Sequence, residues 1–69
     1  MSNRGREVEK IEVAVTFKHI TNHAVLVNDG DKDVWLPLSQ VEYDFRDTEP
    51  GEAIEIVVPE WIAKNKGLI

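Results

Sequence analysis

The chain has 69 residues, no cysteine, 42% hydrophobic residues and a formal net charge of −5. That length allows one domain with a single modest core, which rarely supplies more than about 3–5 kcal/mol, and no disulfide can add to it. A tetrahedral zinc site would have only His19 and His23 as nitrogen ligands, so close packing or oligomerisation is left as the further source of stability, and either a monomer or a homodimer is expected.

Residues 1–7 are polar and lack periodicity, which predicts a flexible tail followed by one β-rich domain over residues 8–69. From Ile11 the pattern alternates strictly: Ile11, Val13, Val15 and Phe17 face one way, Glu12, Ala14, Thr16 and Lys18 the other. This is a half-buried strand. His19-Ile20-Thr21-Asn22 breaks it as a turn, and His23-Ala24-Val25-Leu26-Val27 forms a second strand, ended by Asn28-Asp29-Gly30-Asp31. Asp-Gly between β-branched runs is a hairpin signal, because Gly accepts positive φ at no steric cost. A third strand follows as Asp33-Val34-Trp35-Leu36, and Pro37, which cannot donate to a ladder, ends it or confines it to a sheet edge.

Ser39-Gln40 makes a short step, compatible with one turn of tight helix. Val41, Tyr43 and Phe45 then alternate inward against Glu42, Asp44 and Arg46 as a fourth strand. Pro50 and Gly51 suit a turn, and residues 53–58 form a fifth strand with Ile54, Ile56 and Val58 inward. Residues 59–67 read as a short helix: Pro59 at its start, Glu60 at its positive end, Lys64 and Lys66 at its negative end, Gly67 as its C-terminal stop. So short a helix must be docked, and Trp61, Ile62 and Leu68 are expected against the sheet. The fold class is mainly β: a small five-stranded antiparallel barrel or bent sheet, SH3-like or OB-like, with a short C-terminal helix, closed by pairing of the first and fifth strands.

Charge is uneven along this chain. Residues 29–55 hold nine acids against Lys32 and Arg46, a surface that repels phosphate and argues against duplex nucleic-acid binding. A solvated acidic face that keeps a small protein soluble explains the same charge, and so does a surface for a basic partner. No apolar run approaches the roughly 20 residues of a membrane span, and Met-Ser-Asn-Arg-Gly-Arg lacks the apolar core of a signal peptide. The expected location is the cytoplasm.

Catalytic chemistry is not expected. Asp29, Asp31 and Asp33 stand at the spacing that opens a calcium loop, but Val34 and Gln40 occupy the positions that need Gly and a bidentate Glu. His19 and His23 have no third ligand near them in sequence, so no metal and no cofactor is expected. Ser39 lacks a glycine-rich elbow, and Glu42 and Asp44 alternate outward where solvated acids sit. Phe17, Tyr43 and Phe45 fall on core positions, whereas Trp35 stands between Val34 and Leu36 and its face is open to either assignment. An exposed Trp35 would be a protein-binding anchor.

The segments Trp35-Leu36-Pro37-Leu38-Ser39-Gln40-Val41 and Val58-Pro59-Glu60-Trp61-Ile62-Ala63, with Gly67-Leu68-Ile69 after them, resemble those of short, uncharacterised bacteriophage and prophage proteins. These share a Trp-(Leu/Ile)-Pro-x-Ser-Gln segment and a terminal Pro-Glu-Trp-(Leu/Ile)-Ala…Gly-Leu helix. The resemblance covers residues 11–69 and carries no activity with it. It implies a non-enzymatic accessory protein of a phage or mobile element, acting by protein–protein interaction. One form of this is an acidic inhibitor, of the anti-CRISPR or other anti-defence type, that mimics DNA towards a host or phage protein with a basic surface. The expected binding residues are Asp31, Asp33, Trp35, Glu42, Asp44 and Glu55. The alternative is a small barrel that binds single-stranded nucleic acid in phage replication or recombination, through Trp35, Tyr43, Arg4, Arg6 and Lys10.

Overall fold

The computed structural model describes residues 9–69. The expected tail, with Ser2, Arg4 and Arg6, lies outside the described residues. Four strands form one antiparallel sheet: β1 (Lys10–Ile20), β2 (Ala24–Asn28), β3 (Asp33–Pro37) and β4 (Ala53–Pro59), in the order β3-β2-β1-β4. A single 3₁₀ turn (Leu38–Gln40) follows β3, and helix α1 (Glu60–Asn65) follows β4.

Alternation decides which face is buried. Val13, Val15 and Phe17 of β1, Val25 and Val27 of β2, Val34 and Leu36 of β3, and Ile54, Ile56 and Val58 of β4 make one core with Ile62 and Ala63. Leu38, Val41, Phe45 and Leu68 pack at its margin, so α1 and residues 38–52 cover this face while the described residues leave the other bare. A bulge between Phe17 and His19 lets β1 run on to Ile20, two residues past the expected end of the strand. The turn therefore falls on residues 21–23, where the Thr21 hydroxyl accepts from the Ala24 N–H (3.1 Å) and the Thr21 N–H donates to the Ala24 carbonyl (2.8 Å).

Two expectations need correction. The sheet has four strands rather than five, because residues 41–46 contribute a single bridge, Glu42 to Val57. Beyond it the Asp44 carboxylate accepts from the Arg46 N–H (3.1 Å) and the Arg46 guanidinium, a local turn that competes with a ladder. β1 does pair with β4 over residues 10–16, as expected of the first and last strands, but β3 has no second neighbour in the sheet order, so the sheet stays open and no closed barrel forms among the described residues.

The second correction concerns α1. Ile62 and Ala63 dock it at 2% and 0% exposure, whereas Trp61 is 57% exposed. Adjacent residues on a helix point about 100° apart, so burial of Ile62 and Ala63 turns Trp61 outward. The end of α1 follows the expected chemistry: Gly67 takes φ +75°, its N–H bonds to the Lys64 carbonyl (3.2 Å), and the Leu68 N–H bonds to the Ala63 carbonyl (2.7 Å). This is a Schellman closure, and it folds Leu68 back onto the core.

Candidate interaction surface

The bare face of the sheet is built from the residues that alternate with the core. Register aligns them in rows: Glu12 beside Val57 and Glu42, Ala14 beside Glu55, Thr16 beside Asn28 and Asp33, and His19 beside Leu26 and Trp35. Of the six residues expected to bind a partner, Asp33, Trp35, Glu42 and Glu55 thus share this face. Small residues occupy its centre, so the acids of β1 and β4 stand at one end and the Trp35 indole at the other, across a shallow floor.

Trp35 is exposed at 45%, which settles the face that sequence left open. The His19 ring meets it edge-on, with centroids 6.3 Å apart, and half-buried Leu26 lies between them in the row. Glu42 pairs with the Lys10 ammonium, so part of its charge is already answered within the chain, while Glu12 and Glu55 remain exposed. Asp33 accepts from the Asn28 amide (2.8 Å).

The other two expected residues lie elsewhere. Asp31 sits in the β2–β3 turn, which is organised by Asp29: its carboxylate accepts from the N–H groups of Asp31 (2.8 Å) and Lys32 (2.9 Å) and from the Lys32 ammonium (2.8 Å). These bonds hold the Asp29 carboxyl at about 2, well below the ordinary 3.8. The acids that mimic the start of a calcium loop therefore do a turn's work, and among the described residues no group of three or more His, Asp or Glu side chains is placed to hold a metal ion. Asp44 is likewise lowered to about 2 by hydrogen bonds from Arg46. It borders an apolar hollow of about 770 Å³ formed with Ile20, Leu38, Tyr43 and Phe45, away from the acidic rows.

The aromatic residues divide between the two sides. Tyr43, expected on a core position, is instead exposed: it leans on the outer side of Phe45 (4.8 Å), which stacks on the core ring of Phe17 (5.6 Å), the side of the sheet from which Trp35 turns away. Trp35 is instead joined at the β3 margin by Trp61, in a groove of about 450 Å³ that also includes His23, Pro37 and Lys66. Sequence reasoning placed Trp61 against the sheet, and it did not count Glu12 or His19 among the binding residues although it put both at the surface. Glu12 was legible as an outward β1 position, but a two-turn helix carries no periodic signal strong enough to tell Trp61 from Ile62.

Comparison with family models, curated proteins and solved structures finds no match to this chain. No helix among the described residues is long and apolar enough to cross a membrane.

Proposed function

We propose that this protein is a non-enzymatic interaction module whose bare sheet face binds a partner with a basic surface. The observation that carries the reading is the convergence of Glu12, Glu42, Glu55, Asp33 and the exposed Trp35 on one face that no element among the described residues covers. Charged groups round the face steer and orient a basic partner, and a single desolvated indole supplies the anchor that acids alone do not. In the phage or mobile-element setting implied by the resemblance, the partner is a nucleic-acid-handling protein and the acids stand in for phosphates, so the module acts as an inhibitor. Direct binding of single-stranded nucleic acid has less support, because Trp35 and Tyr43 lie on opposite sides of the sheet and Lys10 is paired with Glu42.

The test is recovery of partners from host cells by the tagged protein and by two variants of equal thermal stability. Glu12→Gln with Glu55→Gln is expected to lose the partner, and Asp44→Asn, off the face, to keep it. Equal recovery by all three proteins contradicts the acidic-face reading.

A further inference from the structure

The two margins of the sheet are finished differently, and the difference identifies an interface. The Leu38 N–H donates to the His23 carbonyl and the Asp29 N–H to the Lys32 carbonyl. Counting by twos between these bonds assigns the β2-directed groups of β3 to Val34 and Leu36. The N–H and C=O of Asp33 and Trp35, and the C=O of Pro37, therefore point off the sheet. Unpaired strand edges template pairing with another chain, and proteins ordinarily blunt them with charge, bulges or a covering element. β3 carries none of these at its centre: Val34, Trp35 and Leu36 are its middle residues, and the groove beside it exposes two tryptophans.

We infer that β3 pairs antiparallel with β3 of a second copy of this chain, about a twofold axis at Trp35. The pairing is self-complementary in hydrogen bonds. Each Trp35 N–H donates to the other copy's Trp35 carbonyl, and each Asp33 N–H donates to the other copy's Pro37 carbonyl. Pro37 has no N–H to leave stranded, so every outward donor of the edge is used. In this arrangement the acidic start of β3, with Asp31 and Asp33, comes to the end of the second copy's strand where Pro37 lines one groove with His23 and Lys66, so acids meet a basic margin. The two indoles meet as a directly opposed cross-strand pair, with Cα atoms about 5.5 Å apart. The result is one continuous eight-stranded sheet, and each copy's acidic rows stay at its outer ends. This interface shares Trp35 with the proposed binding face but needs neither Glu12 nor Glu55, so the Glu12→Gln, Glu55→Gln variant, which leaves the β3 edge intact, separates the failure of one reading from that of the other.

The experiment is sedimentation velocity of the full chain across a wide concentration range, with Trp35→Lys and with a chain lacking residues 1–8. The wild type is expected to pass from monomer to dimer, and Trp35→Lys, which places a charge at the twofold axis, to weaken association at least about tenfold. The shortened chain is expected to dimerise like the wild type. Circular dichroism matching the wild type shows that Trp35→Lys still folds, and Trp35→Thr, a strand-compatible residue without charge, provides a second variant that loses the indole pair. Monomer at every concentration, association unchanged by both Trp35 variants, or association lost with residues 1–8 would each overturn the assignment.

Discussion

The sheet's two margins carry strands of similar apolar pattern and meet opposite fates. Beside β4, the Glu42 N–H donates to the Val57 carbonyl (2.8 Å) and the Val57 N–H returns a bond to Glu42 (3.3 Å). Pro59 offers no donor, and Glu55 sets a charge at the remaining outward stretch. β3 has a charge and a proline at its two ends, Asp33 and Pro37, but among the described residues no bridging residue pairs its centre at Trp35. The comparison teaches that an edge can be closed with very little: one bridging residue, one proline and one charge stand in for the fifth strand that alternation predicted. At β3 only the bridge is missing, and the outward N–H and C=O of Trp35 have no partner among the described residues.

Substitutions at and beneath the two margins separate their roles. The largest effects lie beneath the edges and should not distinguish them. Leu36→Ala behind β3 and Ile56→Ala behind β4 each empty a fully buried site, and each should cost about 2–5 kcal/mol in urea unfolding. A cost below about 1 kcal/mol at Leu36 would remove β3 from the core. Next comes Glu42→Pro, which deletes the bridging donor and leaves the half-buried Val57 carbonyl unpaired. It should lower stability by about 1–3 kcal/mol and, by opening the second margin, add species larger than the dimer in sedimentation. Gly51→Ala tests the return of the chain towards β4, since Gly51 has φ +93° and its N–H donates to the Phe17 carbonyl (2.7 Å); a cost of about 1–2 kcal/mol is expected from the left-handed backbone alone. Trp35→Lys, by contrast, should leave monomer stability within about 0.5 kcal/mol of wild type, because its side chain is already at the surface.

The smallest effect is in acid. Asp29, near the β3 margin, and Asp44, beyond the β4 bridge, are both held at about 2 against an ordinary 3.8. A lowered native value means that each contributes its full stabilisation above 3.8 and loses it as pH falls towards 2. Carboxyl chemical shifts followed by NMR should titrate with midpoints near 2 at both residues. A midpoint near 3.8 at Asp29 would mean that the β2–β3 turn is not closed by its bonds to Lys32.

Much of this architecture was legible in the sequence, for local reasons. Strict alternation marks β1 and β4, Asp-Gly marks the hairpin, Pro37 marks both the end of β3 and its edge position, and Pro59 and Gly67 bracket α1. Residues 41–46 misled because their alternation is real, with Val41 and Phe45 packing at the core margin, while pairing is decided by hydrogen bonds that alternation does not report. The Asp44–Arg46 turn diverts those bonds. The candidate face was half legible: alternation put Glu42 and Glu55 outward, but their meeting with Asp33 and Trp35 depends on the strand order β3-β2-β1-β4, which no local signal encodes. Trp61 could not be placed because in a helix of six residues one register choice between neighbours decides everything.

Amide hydrogen exchange resolved by residue, at low and high protein concentration, reads pairing at the β3 edge. Val34 and Leu36, bonded to β2, should be protected at both, whereas Asp33 and Trp35 should exchange freely in dilute solution and become protected as concentration rises. Asp33 and Trp35 amides that exchange freely at every concentration, or that are equally protected at all of them, would contradict the account.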